Sequence, residues 1–486
     1  MRVVVVGAGI TGLTLGYRLA QQSRAAGRSD EVVVLEAGAR PGGHATTNIE
    51  DGYLVESGPN GFLDRPREPQ VRTLVRELGL ESRLREAHPE ASRRFIWLGG
   101  RLRRVPAGPP SLLTSDILSP FGKLRLLLEP FIAPARPTPS TRAEAEETVF
   151  EFAARRIGRE AAENLVDAAV SGISAGDSRE LAVEAAFPTL TEMEREHGSL
   201  IRAMIARRRD PMAKILSFDG GLGTLTDALA DRLGAALCTR APVGSVTHDG
   251  GRWRVRLAGG EGIEADHVLL TVSAHQASGL VSQLDAQLAR ALEEIPFAGL
   301  AVVTLAYRAS DLPRPLDGYG YLVARREQLD TLGVVWESSL FEGRAPSDHV
   351  LLRCMLGGVR RPELAQLPET ELVQRARREL ALVMGLEAEP AVVWVKRWPR
   401  AIAQYTRGHR QRVEHIRDLA ARHRGLHLVG TSYDGISFTA AVASAERWAS
   451  HVMSDITAPT HPATVRALDT DAGASPVRAT EVHAIS

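Results

Sequence analysis

The chain has 486 residues, 44% of them hydrophobic, with 59 Lys+Arg against 59 Asp+Glu and a formal net charge of zero. Such a length makes two or three domains with ample core, the apolar fraction excludes general disorder, and the charge balance excludes a protein that coats nucleic acid. Two cysteines, Cys238 and Cys354, exclude a disulfide framework and a thiolate metal cluster, so a reducing compartment is expected.

Residues 2–6 are a β-branched run that predicts a buried parallel strand. A glycine-rich turn, a helix over about 11–22 and a second buried strand at 31–36 complete one βαβ unit. Helices are predicted at 69–78, 144–170 and 180–207, broken by a proline-rich stretch at 106–139. Strands follow at 243–247, 252–257, 263–272, 300–307, 319–323, 332–336 and 349–356, then a helix at 369–385. Next come a strand near 391–396, an apolar run at 426–430 and a final helix at about 439–454. Residues 458–486 lack periodicity and are predicted to be a disordered tail. No internal repeat is present. No apolar run reaches the ~18–20 residues of a membrane span, and the opening run is too short for a signal peptide. The expected location is therefore cytoplasmic.

Gly7-Ala8-Gly9-Ile10-Thr11-Gly12 sits between strand and helix with the spacing G-x-G-x-x-G. The first glycine permits the tight turn, the second lets backbone approach a pyrophosphate, and the third allows close helix–strand packing. The helix N-terminus adds unpaired N–H groups and positive dipole character. Glu36 ends the second strand, 24 residues beyond Gly12, where a carboxylate can accept both hydroxyls of a ribose. A dinucleotide is the expected ligand.

Beyond Glu36 the chain reads Ala37-Gly38-Ala39-Arg40-Pro41-Gly42-Gly43-His44, which resembles the FAD signature of the flavin amine oxidase and phytoene desaturase superfamily. Arg40 can meet the pyrophosphate, while Gly42 and Gly43 let backbone pass close to the flavin side. The run Leu428-Val429-Gly430-Thr431-Ser432-Tyr433-Asp434-Gly435 is similar to the second FAD element of that superfamily. Within it the chain resembles the oxygen-dependent protoporphyrinogen oxidases. The resemblance is carried by Asp51-Gly52-Tyr53-Leu54-Val55-Glu56-Ser57-Gly58-Pro59-Asn60, Arg94-Phe95-Ile96-Trp97 and Ser171-Gly172-Ile173-Ser174-Ala175-Gly176-Asp177. It continues in Phe218-Asp219-Gly220-Gly221-Leu222, Met355-Leu356-Gly357-Gly358 and Gln404-Tyr405-Thr406-Arg407-Gly408-His409, and runs from residue 1 to about 455.

The resemblance implies non-covalent FAD held by Gly7, Ala8, Gly9, Ile10, Thr11, Gly12, Glu36, Ala37, Arg40, Gly43, His44, Gly58, Pro59, Asn60 and Gly61. It adds Val243, Arg410, Ile436, Ser437 and Phe438 to that set. It implies a substrate pocket at Arg94, Gly172, Tyr319, Leu322 and Met355, with no metal and no protein acid–base pair, because the flavin carries the chemistry. Histidines 248, 267, 275, 423 and 427 lack metal spacing. Three positions depart from the family pattern: His44, Ala403 where a proline is usual, and the turn Ile436-Ser437-Phe438-Thr439. The implied reaction is oxidation of protoporphyrinogen IX to protoporphyrin IX in three two-electron steps, with O2 reduced to hydrogen peroxide. Rivals are the same chemistry on coproporphyrinogen III, an amine oxidase, and a redox-inert porphyrin-binding flavoprotein.

The implied fold class is α/β plus α+β. A discontinuous Rossmann-like FAD domain (1–70, 210–272, 405–457) would carry an inserted mixed-sheet substrate domain (71–98, 273–404) and a helical domain (99–209). Apolar residues across 112–132, interrupted by Lys123 and Arg125, suit a surface that dips into a bilayer. The resemblance favours that reading and so a peripheral position on the cytoplasmic face of a membrane, and it leaves a homodimer open.

Overall fold

The computed structural model describes residues 1–135, 146–209 and 213–457; the predicted disordered tail lies outside the described residues. The run Arg2–Val6 forms the middle strand of a five-stranded parallel sheet. Glu31–Leu35 and then Leu237–Cys238 lie on one side of it, His267–Leu270 and then Leu426–Leu428 on the other. Side chains alternate across a strand, so Val3 and Val5 enter one core and Val4 and Val6 the other. Helices Ile10–Ala25, Gly223–Leu233 and Phe438–Thr457 fill the first core, while Ala274–Val281, Ala286–Glu293 and His409–Ala421 fill the second. Burial on both faces is why this strand is uninterrupted valine. Strand order runs outward in both directions from Arg2–Val6, which places the topological switch point at its carboxyl end.

A seven-stranded sheet forms the second layer. Its order is Val392–Ala403, Phe297–Arg308, His349–Gly357, Thr331–Trp336, Gly320–Val323, Phe95–Trp97 and Leu102–Arg104. Helix Glu369–Met384 covers one face, where Ala301, Val303, Tyr321, Val323, Cys354 and Leu356 are buried. The interleaved residues Val302, Leu322 and Met355 project from the opposite face.

Several sequence expectations shift. The run 263–272 is two strands: Gly262–Ala265 pairs antiparallel with Arg252–Leu257, and His267–Leu270 joins the parallel sheet. Asp266 makes the crossing, its carboxylate accepting the Arg2 N–H at 2.7 Å. The helix expected over 144–170 breaks at Gly158, whose φ of 92° no helix tolerates. The helix expected over 180–207 is three: Val183–Ala186, Pro188–His197 and Leu200–Ala206. Phe187 precedes a proline and leaves the helical region at φ −138°, ψ 60°, and Gly198 closes the second helix at φ 69°. Domain boundaries move as well. The hairpin Phe95–Trp97/Leu102–Arg104 is one piece of the large sheet, so residues 99–104 leave the helical block. Gln70–Glu77, Ala274–Val281 and Ala286–Glu293 pack into the cores of the parallel sheet, not against the large sheet.

The helical block is built over a buried ion pair. Arg156 and Glu129 are both fully inaccessible, and the Glu129 carboxylate also accepts the N–H groups of Leu200 and Ile201 at the start of a helix. Within 112–132, Leu112, Ile117 and Leu118 are buried in a local core and Leu126 packs against it. Phe121 (77%), Leu124 (53%) and Phe131 (79%) are instead exposed, with Leu127 and Leu128 beside them. Among the described residues no helix is long and apolar enough to cross a membrane.

Candidate active site

The three glycines of the first turn separate into two kinds. Gly7 has φ 101°, and a Cβ at Gly12 would collide with the Gly7 carbonyl oxygen, so the fold itself demands both. Gly9 is different. Its φ is −70° and a Cβ there would meet nothing within 4 Å. The backbone does not need this glycine, and what it leaves is open space at a helix N-terminus with no side-chain cap and no acid in the first turn. That is the shape a pyrophosphate requires.

Glu36 lies across this turn, accepting the Ala8 N–H at 2.9 Å and the Gly38 N–H at 2.7 Å. A carboxylate has about four acceptor sites, so two remain for a ribose. Gly42 donates to the Ala8 carbonyl at 2.7 Å, and Gly43, at φ 59°, would bring a Cβ to 3.1 Å of the Gly9 Cα. The second glycine pair is thus closed onto the first. The C-terminal element arrives at the same place: a Cβ on Gly430 would sit 3.7 Å from Thr11, and Phe438 stacks on Phe62 at 5.8 Å. Ser437 caps the closing helix through the Ala440 N–H. Ile436, half-buried, lies between.

Arg40 is exposed, with no carboxylate paired to it among the described residues, and it lines a cavity of about 240 Å³ with Thr46, Ser57, Trp394 and Lys396. His44 sets its ring edge-on to Trp398 at 4.5 Å, and the Trp398 indole donates to the Ser57 carbonyl at 2.8 Å. Gly58 packs on the His44 carbonyl and Gly61 on that of Leu216, with Pro59 and Asn60 between them. Ala37 follows Glu36 at the surface. Val243 begins a strand whose approach is tied to Glu36, since Ala241 donates to the Glu36 carbonyl at 2.8 Å. Arg410 stands apart: Glu184 holds its guanidinium at 2.6 Å.

The five residues expected to form a substrate pocket fall at the face of the large sheet opposite helix Glu369–Met384. Leu322 and Met355 are partly exposed between neighbours that are buried. Gly172, on the helix Asp167–Ser174, faces Leu322 so closely that a Cβ would overlap Leu322 Cδ2. Met355 packs beside Tyr319 in one cluster. The Arg94 guanidinium lies over the Tyr319 ring, 5.5 Å from its centre, and among the described residues no carboxylate pairs with it. Three nearby guanidiniums are engaged: Arg93 and Arg314 with Asp317, each at 3.2 Å, and Arg353 with Glu337 at 2.9 Å.

Two elements that stood out in the sequence meet here. Ala175 adopts φ 52°, and its carbonyl accepts the Val359 N–H at 2.9 Å. Gln404 donates to the Ser174 carbonyl at 2.9 Å, and Asp177 receives Arg325 at 2.9 Å and Arg360 at 3.4 Å. These contacts pin the helix carrying Gly172 to the large sheet. Sequence reasoning missed Trp398, Lys396, Glu337 and Arg353. Each is an unremarkable letter inside a strand or at its end, with no local spacing to reveal it.

A family model for flavin containing amine oxidoreductases matches residues 10–453, and the chain belongs to that family. It is an FAD-dependent oxidoreductase. Human protoporphyrinogen oxidase is 34% identical over 93% of this chain and 98% of its own length. The chloroplastic protoporphyrinogen oxidase of Oryza sativa subsp. japonica is 32% identical over 93% of this chain and 88% of its own. Coproporphyrinogen III oxidase of Bacillus subtilis (strain 168) is 28% identical over 89% and 94%. Among solved structures, a candidate protoporphyrinogen oxidase from Exiguobacterium sp. 255-15 superposes with a TM-score of 0.79 at 27% identity, over 93% of this chain and 99% of that one.

Proposed function

We propose that this enzyme oxidises protoporphyrinogen IX to protoporphyrin IX in three two-electron steps, with O2 as the terminal acceptor and hydrogen peroxide as its product. One observation carries the choice of substrate: the Arg94 guanidinium, with no carboxylate paired to it among the described residues, stands over an apolar wall of Tyr319, Leu322 and Met355. A porphyrinogen is an apolar macrocycle with carboxylate arms and suits such a wall with one placed cation. Bound FAD supplies the hydride acceptor and passes its electrons on. The chain's own residues do the rest. Arg94 grips one propionate, Leu322 and Met355 orient the ring and keep water from it, and Gly172 lets a helix backbone approach the macrocycle.

Coproporphyrinogen III is the second reading, favoured by the likeness to the Bacillus subtilis enzyme. Anaerobic mixing of the holoenzyme with each porphyrinogen, followed by flavin absorbance, tests both. Fast bleaching by protoporphyrinogen and recovery in air support the first reading; bleaching by neither porphyrinogen removes both.

We also propose that Phe121, Leu124, Leu127, Leu128 and Phe131 seat the helical block on the cytoplasmic face of a membrane. Anchoring of this kind rests on buried apolar area. Flotation with vesicles should therefore resist high salt and fail when Phe121 and Phe131 are replaced by serine. Unchanged flotation of that variant would reject this face as the anchor.

A further inference from the structure

A run of buried polar groups joins the two halves of the site. The Tyr319 hydroxyl faces Asn60, Glu337 and Arg353, and Asn60 donates to both oxygens of Glu337 at 3.2 and 3.3 Å. Glu337 is paired with Arg353 at 2.9 Å, and Arg353 donates onward to the Gly58 carbonyl. Asn60, Glu337 and Arg353 are 6%, 3% and 5% exposed. The run begins under Arg94, at the substrate wall, and ends on the loop 58–61 assigned to the flavin. Arg353 also shares its strand, and by alternation its face, with Met355.

A buried ion pair is poor value as a source of stability, because desolvation offsets most of its Coulomb gain. An apolar pair would fill this space as well. What an apolar pair cannot do is hold one carbonyl and one amide in fixed directions. The Arg353 guanidinium has five N–H donors in a rigid fork, enough to serve Glu337 and Gly58 together, whereas an ammonium is a point charge on a flexible stem. The neighbouring pair Arg344 and Glu56 ties Ser217, Thr47 and Leu222 together, and Glu56 lines the cavity beside Arg40.

We propose that Glu337 and Arg353 are positioning residues: they fix the loop 58–61 and the Tyr319 hydroxyl relative to one another, and so set the flavin against the substrate ring. This rests on the function proposed above. Two variants separate positioning from simple core filling. R353K keeps the charge balance but loses the fork; E337Q/R353M removes both charges, keeps an acceptor for Asn60 and leaves no buried charge uncompensated.

The readouts are amide hydrogen exchange at Asn60 and Gly61, visible circular dichroism of the bound flavin, and the kcat and KM of porphyrinogen oxidation. For both variants exchange should rise at least tenfold, the flavin dichroism should change, and kcat should fall at least tenfold with KM moved less than threefold. Wild-type exchange, dichroism and kcat in either folded variant would overturn the proposal and leave the pair as core filling. Exchange and dichroism need no porphyrinogen. If they respond while wild-type flavin is not bleached by either porphyrinogen, the substrate reading falls and the positioning of the flavin loop is upheld.

Discussion

Replacing Arg94 by alanine is the most direct perturbation of the substrate site. The side chain is exposed and rests over Tyr319 at 5.5 Å with no carboxylate partner among the described residues, so its removal breaks no ion pair and empties no core. Folding should change little, since an exposed cation–π contact contributes only about 0.5–1 kcal/mol. Binding should change much more. A charge-assisted bond between guanidinium and propionate contributes roughly 1.5–3 kcal/mol, which corresponds to about a ten- to hundredfold loss in kcat/KM. Because the propionate is held alike in ground and transition states, the loss should appear in KM while kcat stays near its wild-type value. Lysine, a point charge, should recover only part. The assay is steady-state oxidation of protoporphyrinogen by R94A and R94K with flavin content measured in parallel. Unchanged kcat/KM in R94A with FAD still bound would refute the propionate grip. Impairment confined to coproporphyrinogen would move the assignment to that substrate.

Three other outcomes follow from the geometry. G9V should fold normally, because a Cβ there has no protein atom within 4 Å, yet purify colourless and ignore added FAD; a yellow G9V protein would contradict the pyrophosphate cradle. G172A should drive Leu322 into the substrate space and raise KM severalfold, and L322V, which shortens the opposing side chain, should restore it; failure of that rescue would show the clash is relieved elsewhere. Burial, aided by Arg412 and Arg417, pushes the His409 imidazole down to about 3, and both its ring nitrogens lack partners. The folded protein thus keeps it neutral while the unfolded chain takes up a proton below about pH 6.5. Its contribution is complete above that pH and is lost as the pH falls, by about 1.4 kcal/mol per pH unit down to the folded value. H409F, which keeps the 3.8 Å stack on Tyr405, should flatten the fall in urea midpoint between pH 7 and pH 5; equal slopes in variant and wild type would rule this out.

Local signals were enough for the dinucleotide cradle. A valine run, three glycines at fixed spacing and an acid at the next strand end interact over a few residues of backbone, so their chemistry is written in order along the chain. The family resemblance, not spacing alone, singled out the second glycine pair and the C-terminal element, and the fold brings both to the first glycine turn. Sequence by itself did not assign 263–272 to two sheets: the alternating Ile263-Glu264-Ala265 runs straight into the buried Val268-Leu269-Leu270, and only the pairing of Asp266 with Arg2 decides where one strand ends. It could not sort 112–132 either, since Leu118 and Phe121 are equally apolar letters and only packing buries one and exposes the other. Gly172 and Leu322, or Asn60, Glu337 and Arg353, lie up to hundreds of residues apart and meet because the large sheet closes over the loop 58–61. Buried charges leave no periodicity, and their partners are set by which strands lie side by side. That arrangement, and with it the floor of the substrate site, is a property of the tertiary structure alone.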